Sequence, residues 1–375
     1  MAVSFEPVLR SDPDLLRADW LQSQPLHNAQ ALPAPLYTDA GVVAREQRAV
    51  FARSWQLVAH SAQLVAAGDH VVAEVAGVPL LLVRGDDGVL RALHNVCRHR
   101  AGPLATCDGR GAKALRCKYH GWTYNLDGQL RSAPEMNDAA NFDVSAIRLP
   151  QAQIAEWQGL VFVALDRTPP LDEVLAGIDA RLHGHRIADY AFHHRVSYDV
   201  KCNWKAYVDN YLEGYHVPHI HPALNRMLDY RSYTTELTEW YSLQHSPLES
   251  APTLYGSGEA LYYFIWPNTM LNILPGRLQT NRVVALGADR CRIDFDYFYA
   301  TDAKGSGPVD TSHRAQDQNF SDEVQHEDIA ICEQVQQRLA SGSYFAGRLN
   351  PKRESGVHHF HELYRRALRE YTEQA

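Results

Sequence analysis

Two segments decide how this chain reads: Cys97-Arg98-His99-Arg100-Ala101-Gly102-Pro103-Leu104 and Cys117-Lys118-Tyr119-His120-Gly121-Trp122. Each offers one thiol and one imidazole, with residues 100–116 lying between His99 and Cys117. Four such ligands suit tetrahedral zinc in general. Zinc fingers, however, group a cysteine pair and a histidine pair, whereas here each loop mixes the two types. The mixed pairing suits a [2Fe–2S] cluster in which two thiolates hold one iron and two imidazoles the other. Gly102 and Gly121 leave room for backbone N–H groups to approach the sulfides.

Composition narrows the class. At 375 residues, 45% of them hydrophobic, the chain is long enough for about two domains, each with its own core. Its 36 basic and 44 acidic residues leave a net charge of -8 without runs of like charge, so nothing marks it for nucleic acid. No apolar run approaches the roughly 18 residues of a membrane span, and Glu6, Arg10, Asp12 and Asp14 interrupt the N-terminal hydrophobics. A soluble, cytoplasmic protein is therefore expected. With 19 His against 6 Cys, a disulfide scaffold is excluded and metal is indicated. Cys107, Cys202, Cys291 and Cys332 read as small buried hydrophobes.

Around the two loops the pattern is β. Short alternating or β-branched runs at His70 to Val75, Val78 to Arg84, Val89 to His94, Trp122 to Tyr124 and Leu160 to Leu165 are separated by turn signals. Residues 46–165 thus form a small antiparallel β domain. It follows an N-terminal segment, 1–45, that packs on the catalytic part and has a helix start at Ser11. Residues 166–375 read as an α+β domain: strands at Arg195 to Lys201, Tyr262 to Trp266, Asn281 to Ala285 and Cys291 to Tyr299, and helices over about Asn203 to His216, 314–340 and 359–373. The Gly- and Ser-rich stretch Thr301 to Thr311 reads as a surface loop.

A second ligand set lies in this half. Helical spacing places Asp209, Glu213 and His216 on one face of the first helix, which Pro218 ends, and the chain then turns so that His221 can swing back toward His216. His219 competes with either histidine. In the helix Phe320 to Leu339, the residues Val324, Ile331, Cys332, Val335 and Leu339 form an apolar stripe that includes Asp328, with Glu327 at its edge. A carboxylate on a core-facing stripe must be paired or bind metal; Arg338 is the ordinary partner, a metal the alternative. His216, His221 and Asp328 together would make a two-His-one-carboxylate triad of the kind that holds non-haem Fe(II) with open positions.

The two loops, followed by Asn203-Trp204-Lys205, Asp209-Asn210-Tyr211-Leu212-Glu213-Gly214-Tyr215-His216 and His221, resemble the α subunits of Rieske non-haem iron oxygenases, and the resemblance spans nearly the whole chain. Trp266-Pro267-Asn268-Thr269-Met270, Phe295-Asp296-Tyr297-Phe298, Glu327-Asp328-Ile329-Ala330 and His358-His359-Phe360-His361 resemble most the choline, glycine-betaine and carnitine oxygenase branch. The resemblance implies a Rieske domain inserted before a helix-grip antiparallel sheet. It implies a [2Fe–2S] cluster on Cys97, His99, Cys117 and His120, and a mononuclear iron on His216, His221 and Asp328. Glu213, with Asp209 and Asn210 beside it, falls where the family has an acidic bridge between the cluster of one protomer and the iron of the next, in a homotrimer. NAD(P)H-derived electrons would come through a separate flavin or iron–sulfur reductase, since no G-x-G-x-x-G follows a strand here. With O2, such an enzyme hydroxylates a small substrate, or removes an N-methyl group as formaldehyde.

For the substrate, Tyr211, Tyr215, Tyr262, Tyr263, Phe264 and Trp266, with Asn268, can form an aromatic cage for a quaternary ammonium group, or can be core aromatics. Hydroxylation or O-demethylation of an aromatic acid is the alternative reaction. A Rieske electron carrier is the alternative without catalysis.

Overall fold

Strand pairing organises the molecule into two unequal antiparallel layers. A computed structural model describes residues 17–182, 185–228, 231–248, 254–255, 258–301 and 311–374. Ser11 and nearly all of the Thr301 to Thr311 stretch lie outside the described residues. The first layer is a six-stranded sheet in the order β1 (Gln56–His60), β9 (Leu160–Ala164), β8 (Gln151–Trp157), β4 (Leu90–His94), β3 (Val78–Arg84), β2 (His70–Val75). A second small sheet, β5 (Leu115–Arg116), β6 (Thr123–Tyr124) and β7 (Leu130–Ser132), stands beside it. The first Cys/His loop leaves β4 and the second leaves β5. Between the two sheets Leu81, Val83, Leu93, Leu115, Trp122 and Tyr124 bury the two thiols. Strands β1 and β8 are additional to the expected runs: β1 does not alternate, and β8 alternates polar and apolar residues apart from one break at Ile154-Ala155.

The larger layer is a seven-stranded sheet in the order β10 (Ala191–Val200), β16 (Cys291–Tyr299), β15 (Arg277–Ala285), β14 (Thr269–Leu274), β13 (Gly258–Ile265), β12 (Tyr241–Leu248), β11 (Thr234–Leu237). Period-two alternation splits its side chains. Leu243, Leu261, Tyr263, Ile265, Leu271, Ile273 and Phe298 face the first layer and join Leu57 and Phe162 in one core. Gln244, Asn272, Gln279 and Tyr297 face the opposite way, toward the helix Trp204–Tyr211 and a long helix, Thr311–Leu339, to which they hydrogen-bond directly. Among the described residues no helix is long and apolar enough to cross a membrane.

The N-terminal residues Leu32, Leu36, Tyr37, Val50 and Phe51 share a core with Trp204 and with Phe360 and Tyr364 of the C-terminal helix, Ser355–Gln374. At its centre sits a wholly buried ion pair, Lys205 with Glu46. Glu46 also accepts hydrogen bonds from Trp204 Nε1 at 2.9 Å and Tyr364 Oη at 2.7 Å. Burial pushes the Lys205 ammonium down from its ordinary pKa while Glu46 opposes that shift.

Two helices depart from the sequence reading. The helix that begins at the N-cap Asn203 ends at Tyr211, so Glu213 and His216 do not share its face with Asp209. Pro218 does not stop it; Pro218 sits in the first turn of a separate short helix, Val217–Ile220, where a missing N–H costs nothing. On the long helix, Val335 is 43% exposed, and the inward face is lined by Asp317, Ser321, Gln325, Asp328, Cys332 and Gln336. At about 100° per residue this face is turned roughly 40° from the apolar stripe. It is polar because each member meets a hydrogen-bonding partner rather than an apolar layer.

Candidate active site

The two Cys/His loops repeat one backbone design. In each, the cysteine carbonyl accepts from the N–H four residues on (Ala101, Gly121; both 3.0 Å), and the cysteine N–H donates to the carbonyl five residues on (Gly102, Trp122; both 2.9 Å). The fourth residue needs a left-handed backbone, φ +56° at Ala101 and +75° at Gly121. Gly102 is required for space instead, since a Cβ there would lie 2.8 Å from Cys117 Sγ. His99 and His120 stand side by side at 4.6 Å between ring centroids, with His99 stacked on Trp122. Tyr124 Oη, 3.3 Å from Cys97 Sγ, accepts the Arg98 N–H at 2.9 Å and braces the first loop. Burial and the adjacent Cys97 raise the Cys117 thiol, so a thiolate here needs the positive charge that a cluster iron supplies.

The second set also assembles. The ligand atoms of His216, His221 and Asp328 lie within 4.8 Å of one another. His221 Nε2 is 2.9 Å and His216 Nε2 3.7 Å from Asp328 Oδ1. Each imidazole is oriented from behind by a carboxylate, His216 Nδ1 by Glu213 Oε1 at 2.6 Å and His221 Nδ1 by Glu327 Oε2 at 2.7 Å. Glu213 further accepts the backbone N–H groups of Tyr215 and His216, which fixes the turn that replaces the expected helix. Asn210 donates to Asp328 Oδ1 at 2.6 Å. Burial opposes charge on His221, but Asp328 and Glu327 outweigh it and raise its pKa, a pairing a bound cation would replace. The donor set and its supporting carboxylates fit a mononuclear iron. His219 is exposed and outside the set, and Arg338 bonds within its own helix.

Residues 54–145 match the Rieske [2Fe–2S] domain, and residues 187–370 match the catalytic domain of ring-hydroxylating alpha subunits. Choline monooxygenase of Arabidopsis thaliana is 34% identical over 356 residues, covering 90% of this chain and 83% of that protein. This chain belongs to the Rieske non-haem iron oxygenase α subunits. The oxygenase is also 30% identical to the carnitine monooxygenase oxygenase subunit of Escherichia coli strain K12, over 89% of this chain and 93% of that one. Among solved structures, the quaternary ammonium Rieske monooxygenase CntA with L-carnitine superposes at a TM-score of 0.81 and 26% identity, covering 92% of this chain and 99% of that one.

In the oxygenase a cavity of about 130 Å³ opens on the triad, small beside the few hundred Å³ of sites for drug-sized ligands. Tyr207, Tyr211, Tyr233, Tyr255, Tyr262, Phe295 and Phe320 supply its aromatic lining. Of the seven residues expected in the pocket, Tyr211 and Tyr262 line it, and Tyr215, Tyr263, Phe264, Trp266 and Asn268 do not. Tyr263 alternates with Tyr262 and so faces the first layer. Trp266 packs on Phe360 in the core. Asn268 donates to the Val283 carbonyl. Asp209 is not at the triad: it accepts from Tyr37 Oη at 2.6 Å and meets His361 Nε2 at 2.9 Å. Cys202, Cys291 and Cys332 are buried as expected, but Cys107 is exposed because its loop lies outside the cluster core. Glu327 was visible only as a residue at the edge of a stripe; a carboxylate adjacent in sequence to Asp328 was its signal.

Proposed function

We propose that this chain is a terminal oxygenase that takes electrons from a separate reductase and uses O2 to hydroxylate or N-demethylate a small quaternary ammonium compound. The observation that carries the substrate assignment is the cavity at the triad. Tyr207, Tyr211 and Phe295 line the same cavity as Glu213 and Asp328, a lining of aromatic and acidic side chains suited to an organic cation. Cys97, Cys117, His99 and His120 would hold the cluster, and His216, His221 and Asp328 the iron. When bound there, iron supplies open positions at which O2 and substrate meet. Glu213 and Glu327 keep both imidazoles aimed at one point, and Asn210 holds the Asp328 carboxylate.

Glu213 and Asn210 line two spaces: the cavity, and on the other side a recess of about 580 Å³ bounded by Leu32, Tyr37, Val335, Tyr344, Glu354 and His361. This recess carries three carboxylates, Asp209, Glu213 and Glu354, against Arg338 and His361, whereas the loop face around the cluster exposes Arg98, Arg100, Arg116 and Lys118. The complementarity supports a homotrimer in which one protomer's cluster face seats on the next protomer's recess, with Glu213 the bridging group. Six cysteines without a disulfide suit a reducing cytoplasm.

The test is product analysis with purified oxygenase, a surrogate reductase and NADH, comparing betaines, choline and carnitine with benzoate-type acids. Formaldehyde or hydroxylated product from the quaternary amines is expected. Turnover of the aromatic acids alone would contradict the assignment.

A further inference from the structure

The cavity has a second pole. Arg277, on β15, is the single Lys or Arg among its described lining residues, and it is 5% exposed. Its Nε lies 3.0 Å from Asp317 Oδ2 without an aligned hydrogen bond, and its Nη2 donates to Gln279 Oε1 at 2.8 Å. The guanidinium is clamped over the rings of Tyr255 and Tyr297, at 5.8 and 5.4 Å. Asp317 is itself fixed by hydrogen bonds from Tyr255 and Tyr299. Five N–H donors in a rigid fork thus have one aligned acceptor among the described residues. Nearby in the cavity wall, Gln325 Nε2 is a further buried donor without a partner. Unsatisfied buried donors of this kind are costly unless a ligand completes them.

We propose that Arg277 is the receptor for the carboxylate of the substrate, so that the enzyme selects zwitterionic trimethylammonium carboxylates over amino alcohols. Asp317, Tyr255 and Tyr299 act as positioning residues that hold the fork. The inference rests on the quaternary ammonium reading for the cationic end only. Ser321, bonded to Gln279 beside Arg277, precedes Asp328 by seven residues on the long helix, roughly 10 Å at about 1.5 Å per residue. A reacting carbon sits roughly 3–4 Å from the group that attacks it. A similar gap separates the carboxyl carbon from the guanidinium, so the remaining span of about 3–4 Å admits a small zwitterionic trimethylammonium carboxylate.

The test compares kcat/KM and calorimetric binding for γ-butyrobetaine and its methyl ester on the iron-loaded holoenzyme. The acid should be favoured by roughly 10- to 100-fold, the range for a hydrogen bond to a charged group. In Arg277→Gln the acid-to-ester ratio should collapse toward one, with Arg277→Lys partly restoring it. Equal handling of acid and ester by the wild type, or a ratio that survives Arg277→Gln, overturns the proposal. Should the variants fail to fold, the wild-type ratio still decides. If only aromatic acids are turned over, the quaternary ammonium reading fails by itself; the acid-to-amide ratio for those acids, with and without Arg277, then judges the carboxylate receptor.

Discussion

Glu327 offers the sharpest test of how the metal set is held. Its carboxylate lies 2.7 Å from His221 Nδ1, His221 is 1% exposed, and the opposite ring nitrogen faces Asp328. Glu327→Gln keeps the shape and one acceptor but removes the charge. A hydrogen bond to a charged group contributes about 1.5–3 kcal/mol, and loss of a carboxylate behind a metal-ligating histidine weakens metal binding by about 10- to 100-fold, equivalent to about 1.4–2.7 kcal/mol. The two ranges agree, so Glu327→Gln should weaken mononuclear iron binding about tenfold or more, and Glu327→Ala by more again. The assay is Fe(II) competition against a chelator, with the visible cluster absorbance as an internal reference that should not change, since the cluster loops lie in the other layer. Unchanged iron affinity in both variants would refute the claim that His221 ligates through Nε2 under the control of Glu327.

Glu213→Gln keeps an amide oxygen for the backbone N–H groups of Tyr215 and His216 but loses the carboxylate behind His216 Nδ1, so it should weaken mononuclear iron binding about as much as Glu327→Gln does and, even when saturated with iron, lose product formation coupled to NADH oxidation; retained coupled turnover would contradict the bridging role. Glu46→Gln leaves the buried Lys205 without its counter-ion and should destabilise the fold by about 3–5 kcal/mol, read from chemical denaturation. Gly102→Ala places a methyl against Cys117 Sγ and should cost the cluster absorbance while sparing the mononuclear iron; an intact cluster spectrum would show that the loop can yield.

The parts of the site that were legible in the sequence are those whose geometry is local. Two Cys/His loops of a few residues each carry their own turn design, so spacing alone indicated the cluster. Asp328 was found as a carboxylate in a helix face, although that face proved polar and rotated, and its partners Asn210 and His221 come from more than a hundred residues away. The turn from Leu212 to His216 read as helix because its residues are compatible with one; Glu213 bonding back to two N–H groups ends it, which periodicity does not report. Tyr262 and Tyr263 differ by one residue of strand register, and that single step decides which lines the cavity. Asp209 was placed among catalytic residues by its neighbours in sequence, while its partners, Tyr37 and His361, are brought by the two ends of the chain.

Metal and sulfide content of the wild type and of Asp328→Ala tests the central claim most directly. The account predicts about three irons and two sulfides for each wild-type chain, and about two irons with the same two sulfides and an unchanged Rieske spectrum in Asp328→Ala. Two irons in the wild type, or an iron count unaffected by Asp328→Ala, would contradict it.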